Sequence, residues 1–102
     1  MKKIEFYTRT HKNGKDIAEK VNGYTDGKFN YYKNEFGNWF AVEPKTGLST
    51  GAQYKTRKQI IDHAYSERVT ALIEAFYKKP DIEDGIKYFN SLIQEAENVR
   101  KI

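Results

Sequence analysis

The chain of 102 residues contains no cysteine, and it has only two prolines and one methionine. The lack of cysteine excludes disulfide bridges, thiolate metal sites and a cysteine nucleophile, and it is compatible with a reducing cytosol. No apolar stretch reaches the length of a membrane span or of the apolar region of a signal peptide. We therefore expect a cytoplasmic protein that does not contact a membrane.

Signatures of catalysis are missing as well. The chain has no GxSxG motif, P-loop, dinucleotide-binding motif or HExxH motif. The chain has two histidines, His11 and His63, and His63 has no histidine or acidic partner at a spacing that suits zinc. His11 is expected in a solvated loop beside a turn, and His63 is expected beside the apolar stripe of a helix. Neither position requires a catalytic role. We expect a non-enzymatic protein with no cofactor and no metal.

The composition is that of one folded domain spanning residues 1–102. Hydrophobic residues make up 38% of the chain, charged residues 31% and aromatic residues 15%. This length supports a single core that relies on aromatic side chains. Residues 1–55 carry ten Lys and Arg against six Asp and Glu, whereas residues 56–102 carry eight of each, so the net charge of +4 lies in the first half.

The first half reads as an antiparallel sheet. Ile4, Phe6 and Thr8 alternate with polar or amphipathic neighbours, which predicts a strand with one buried face. Asn13-Gly14 favours a type I′ hairpin turn, and residues 15–21 then form the returning strand. A short helix capped by Asp16 is the alternative for residues 15–21.

Two aromatic runs predict a second hairpin. Residues 28–33 and residues 38–43 are separated by a turn at residues 34–37, and a further short strand is expected near residues 48–54. The sheet therefore has three to five strands in a meander.

Residues 56–102 predict two helices, which gives an α+β fold with both helices packed on one face of the sheet. Thr56 and Gln59 form a capping box, and the first helix runs to Lys79, before Pro80. Its apolar stripe is Ile61, Tyr65, Val69, Leu72, Ile73 and Phe76. The second helix starts near Asp81, and its apolar positions between 82 and 99 are also compatible with a homodimer.

Basic and aromatic residues of the first half suggest a binding surface for nucleic acid, where bases stack on rings and phosphates meet cations. Alternation along residues 38–43 places Trp39 and Phe40 on opposite faces, so one ring packs under the helices. Alternation does not determine which of the two faces is exposed. The candidate contact residues are Arg9, Lys12, Lys15, Tyr31, Tyr32, Trp39, Lys55, Arg57 and Lys58.

A family resemblance lies in the sequence NWFAVEPKTGLSTG from Asn38 and KTRKQII from Lys55. This stretch resembles small proteins of bacterial phages and mobile elements, in which a W-x-x-x-x-P-x-x-G-L hairpin precedes a helix starting with Thr-Arg. Some proteins of this style are anti-CRISPR inhibitors, which are compact domains that block a Cas nuclease by binding it. The positive net charge differs from the acidic, DNA-mimicking kind.

Two functional hypotheses follow. The resemblance implies a binding protein of a phage or mobile element that inhibits a host defence nuclease, such as a Cas nuclease, by occluding its protein or nucleic-acid surface. The alternative is a free-standing module that binds DNA or RNA through a basic, aromatic sheet face.

Overall fold

The computed structural model describes the backbone of residues 1–100 and the side chains of residues 1–99. It has the α+β architecture that the sequence predicts, with four strands followed by three helices. The strands are β1 (Lys2–Lys12), β2 (Lys15–Thr25), β3 (Asn30–Lys33) and β4 (Trp39–Val42). The helices are α1 (Arg57–Ala64), α2 (Glu67–Tyr77) and α3 (Ile82–Arg100).

The four strands form one antiparallel meander in the order β1-β2-β3-β4, which confirms the predicted topology. β1 and β2 pair along their whole length, from Lys2 opposite Thr25 to Lys12 opposite Lys15. Both residues of the connecting turn have positive φ, 53° at Asn13 and 78° at Gly14, as a type I′ turn requires. The strand interpretation of residues 15–21 is confirmed, and the helical alternative is wrong.

The strand predicted near residues 48–54 does not form. Ser49 and Tyr54 make only isolated bridges to Val42 and Trp39 of β4. These bridges lie three positions apart on β4 and five positions apart on the following segment, so that segment bulges between them. It covers the outer edge of β4 without becoming a fifth strand.

The sheet curls so that its last segment meets its first strand. A Cβ added at Gly23 of β2 would lie 2.0 Å from the carbonyl oxygen of Tyr31, so the backbone of β3 passes directly against β2. The Arg9 amide of β1 donates to the carbonyl oxygen of Gly47, 2.8 Å away, in the loop after β4. The two outer edges of the sheet are therefore joined through this loop.

All three helices lie on one face of the sheet, where the sequence predicts two. Tyr31 and Ala41 on that face pack with Ile60 and Ala64 of α1 and Val69 of α2. Ala18 of β2 packs with Phe89 and Leu92 of α3 in a second cluster. The opposite face carries its own aromatic layer, in which Tyr32 stacks on Phe40 at 5.1 Å and meets the edge of Phe6 at 6.1 Å.

The single helix predicted for residues 56–79 is two helices. The capping box of Thr56 and Gln59 is present at the start of α1, but the backbone is extended at Ser66, whose side chain caps α2 through the Val69 amide. Tyr65 and Leu72, predicted to face the core, are 48% and 58% exposed, and Ile60 is buried instead.

Candidate nucleic-acid interface

The basic residues at the tip of the β1–β2 hairpin are largely engaged in ion pairs. Arg9 lies 2.9 Å from Asp16, and Lys12 lies 2.7 Å from Glu19. Lys15 is exposed beside the turn. Glu19 raises the pKa of Lys12 by hydrogen bonding and by its charge. Two of these three candidate residues therefore present little uncompensated positive charge to a partner.

Asp16 is the central hydrogen-bond acceptor of the polar cluster near this tip. Its carboxylate contacts Nδ1 of His11 at 3.0 Å, Arg9 at 2.9 Å and the hydroxyl of Tyr88 at 3.2 Å. These hydrogen bonds, from His11 first and then from Arg9, lower the pKa of Asp16 from about 3.8 to about 2. Because Tyr88 belongs to α3, the cluster also fastens that helix to the hairpin.

A different group of residues forms a compact basic surface at the open end of the hairpin. The rings of Tyr24 and Trp39 lie 6.2 Å apart on the helix-bearing face. The guanidinium of Arg57 lies over the Tyr24 ring at 5.3 Å, and the ammonium of Lys33 lies over the Trp39 ring at 5.9 Å. We define the basic aromatic patch as Tyr24, Lys33, Trp39, Lys55 and Arg57.

Backbone contacts fix the position of this patch. Trp39 and Tyr54 exchange two hydrogen bonds, of 2.7 and 3.1 Å, which hold the segment before α1 against β4. Thr56 then caps α1, so Arg57 becomes its first residue and Lys55 lies just before the cap. Among the described residues, no ion pair involves Lys33, Lys55 or Arg57. The backbone therefore holds the patch in place, and its three cations are not neutralised by ion pairs with the described residues.

A shallow cleft of about 510 Å³ adjoins the Tyr24 side of the patch. It runs along the paired ends of β1 and β2 and is lined by Lys3, Ile4, Glu5, Asn22, Gly23 and Tyr24. Lys3 lies directly across from Tyr24 on the neighbouring strand. An extended chain that stacks on the patch therefore has room to continue past Lys3.

Two of the sequence candidates, Tyr31 and Tyr32, need correction, and a third, Lys58, is exposed but paired with an acidic residue. Tyr31 is fully buried, and its hydroxyl donates to Asp26 at 2.7 Å, so its ring belongs to the core and cannot stack on a base. Tyr32 is partly buried in the aromatic layer of the opposite face, away from Trp39. Lys58 pairs with Asp62 at 3.0 Å, one turn further along α1. Alternation along β3 separates the two tyrosines, and only one of them faces the helices.

The candidate residues thus divide between two ends of the hairpin. Arg9, Lys12 and Lys15 lie at or near the turn, whereas Trp39, Lys55 and Arg57 gather near the opposite end. Lys12 lies nine positions after Lys3 on β1, which corresponds to about 30 Å at the rise of an extended strand. One short ligand cannot contact both groups.

Sequence reasoning missed Tyr24 and Asp26. Asp26 accepts hydrogen bonds from the hydroxyls of Tyr31 and Tyr65 and from the amides of Lys28 and Phe29. Burial alone would raise the pKa of Asp26, but these hydrogen bonds outweigh burial and lower it. The Asp-Gly pair at 26–27 was the available signal for such a turn. Tyr24 gave no signal, because its role depends on pairing with Tyr31 across β2 and β3.

The two histidines lie in different surroundings. His11 contacts Asp16, and Nε2 of His63 lies 3.2 Å from the hydroxyl of Thr50. Among residues 1–99, no group of three or more His, Cys, Asp or Glu side chains is arranged to hold a metal ion. Within the described part of the chain, no helix is both long enough and apolar enough to cross a bilayer.

No protein-family model, no curated protein and no solved structure matches this chain. Its function is therefore inferred from the geometry and charge of its own surface.

Proposed function

We propose that this chain is a non-enzymatic binding protein that holds single-stranded nucleic acid on the basic aromatic patch. The observation that supports this proposal is the pairing of Arg57 with Tyr24 and of Lys33 with Trp39 on adjacent rings. A guanidinium beside a ring adds a planar group on which a base can stack and keeps N–H donors for phosphate. Lys55 and Lys33 supply further positive charge.

A single strand suits this surface better than a duplex. The exposed bases of a single strand can stack on aromatic rings and on guanidinium planes, whereas the bases of a duplex are stacked on each other. The patch lies on β2, β3 and β4 and on the N-terminus of α1, so it presents rings at a sheet surface and not the side of a helix that could enter a major groove. We therefore expect binding to be weakly dependent on base sequence.

Inhibition of a host defence nuclease stays a prediction that rests on the resemblance of residues 38–61. If the chain acts in that setting, the same patch would contact guide RNA, target DNA or an acidic protein surface.

Fluorescence anisotropy with short single-stranded and double-stranded oligonucleotides tests the proposal. We expect the single strand to bind more tightly, and the three cations of the patch give a logarithmic salt slope of about −2 for that strand. Trp39 is the one tryptophan of the chain, so quenching of its fluorescence reports stacking at the patch directly.

Matched charge reversals locate the binding surface. Arg57→Glu should weaken binding of the single strand by at least about tenfold, since it removes one phosphate contact and adds a repelling charge. Lys15→Glu makes the same kind of change at the far end of the hairpin and should alter affinity by less than about threefold. Equal losses in both variants, or no binding of the unmodified protein at low salt, would refute the proposal.

A further inference from the structure

Helix α2 is apolar but mostly exposed. Seven of its eleven residues are Val, Ala, Leu, Ile, Phe or Tyr, yet Val69 is its one buried residue. Leu72, in the middle of the helix, is 58% exposed, and Ala71 and Ala75 are exposed beside it. An isolated helix of this length is marginal in water and depends on packing of its apolar side. The exposed stripe is thus a candidate for packing against another molecule.

A groove follows this stripe. It lies between α2 and the loop after β4, has a volume of about 90 Å³, and is lined mainly by apolar side chains such as Leu48, Ile73 and Phe76. Tyr77 closes one end, where its hydroxyl donates to Glu43 over 2.6 Å. Leu72 lines the same groove. The surface therefore offers a protruding leucine next to a recess that accepts apolar groups.

The charges along α2 complement those of a second α2 in antiparallel orientation. Glu67 lies in the first turn, and Lys78 and Lys79 follow the last turn. Antiparallel packing places each Glu67 near Lys78 of the other copy and sets the helix dipoles in opposition. Arg68 then lies opposite the aromatic end of the facing helix, which suits a contact between a cation and a ring. The exposed alanines allow the two helices to approach closely.

We infer that this chain forms a symmetric dimer through α2, in which Leu72 of each copy enters the groove beside α2 of the other. The interface is isologous, since the same patch serves both copies. It uses none of the residues of the basic aromatic patch, so each copy keeps its patch open. This surface on α2 differs from the apolar positions between 82 and 99, now in α3, which the sequence alone suggested for a homodimer.

Sedimentation velocity over a series of protein concentrations tests the dimer. We expect a reversible equilibrium between monomer and dimer, and Leu72→Glu should raise the dissociation constant by at least about 100-fold, because it places a carboxylate in an apolar groove on both sides. Val99→Glu is the matched control, since Val99 is 72% exposed on α3. It should leave the dissociation constant within about threefold of the original.

Charge reversal tests the antiparallel arrangement. Glu67→Lys and Lys78→Glu should each weaken the dimer by about tenfold, and the double variant should recover most of the loss. A protein that is monomeric at every concentration would overturn the inference, as would a dimer that survives Leu72→Glu or a double variant without recovery.

Discussion

Gly47 is the residue at which three elements touch. Its carbonyl oxygen accepts from the Arg9 amide of β1, and its φ of +70° lies in the region that favours glycine. An added Cβ would lie 2.3 Å from the Phe89 ring of α3. Gly47 therefore has a backbone conformation that other residues rarely adopt, and it has no room for a side chain. Both features disfavour any substitution at this position.

Replacing Gly47 with alanine should lower the free energy of unfolding by about 2 to 4 kcal/mol, since strain at positive φ and a clash with a buried ring add together. Urea unfolding of the purified variant measures the loss. Gly51→Ala is the control, because Gly51 has a similar φ of +89° and nothing within 4 Å of the added Cβ. That variant should lose only about 1 kcal/mol, and equal losses would show that the contact with Phe89 is unimportant.

Asp16 makes stability depend on pH in the acid range. Because folding lowers its pKa from about 3.8 to about 2, its contribution is complete above pH 3.8 and disappears as the pH falls towards 2. We expect NMR titration of the Asp16 carboxyl carbon to show the lowered midpoint. In Asp16→Asn the acid-dependent loss of stability between these pH values should shrink. A midpoint near 3.8 in the folded protein would contradict the hydrogen bonds described at the hairpin tip.

Among the elements, α2 begins at a cap that Ser66 supplies from an extended backbone conformation. Ser66→Ala should cost about 1 kcal/mol, since the Val69 amide loses its acceptor at the helix start. Thermal unfolding followed by circular dichroism measures this change. Ser91→Ala in the middle of α3 is the control, and it should be neutral or slightly stabilising because alanine has the higher helix propensity. A neutral Ser66→Ala would mean that packing alone determines the break.

The elements that could be predicted from sequence are those with local signals. Asn13-Gly14 specifies its turn through backbone preferences of two residues, and the capping box of Thr56 and Gln59 fixes the start of α1 in the same way. The split at Ser66 was missed, because the apolar spacing runs on through Tyr65 as if one helix continued. The cap of α2 lacks the reciprocal glutamate or glutamine that marks Thr56.

The basic aromatic patch could be predicted only in part, because only some of its residues lie next to a local sequence signal. Lys55 and Arg57 flank the cap of α1 at Thr56, a local signal, whereas Trp39 lies sixteen positions before Lys55 and joins them through its bridge to Tyr54. Tyr24 joins them only through the pairing of β2 with β3, which involves two residue pairs and leaves little trace in the sequence. Tyr31 and Tyr32 could not be told apart, since alternation fixes that they face opposite sides but not which side the helices cover.

At the scale of the whole molecule, the two proposed surfaces together predict a bivalent protein. A dimer through α2 carries two basic aromatic patches, so a long single strand that reaches both should bind more tightly than a short one. Leu72→Glu should lower the affinity for the long strand by about tenfold or more and leave the short strand unchanged. Anisotropy titrations with both lengths measure this difference. Equal affinity for both lengths in the unmodified protein would show that one strand does not reach two patches.

The hydrogen bond that joins the two edges of the sheet has a kinetic consequence. Along β1, alternate amides point towards β2, whereas the Arg9 amide points outward to the loop that contains Gly47. Thr8 and Thr10 are thus protected from hydrogen exchange by the strand ladder, and Arg9 only by the docked loop. If the loop lifts away while the hairpin stays intact, Arg9 exchanges faster than both of its neighbours. The exchange rate of this one amide reports how often the curled sheet opens.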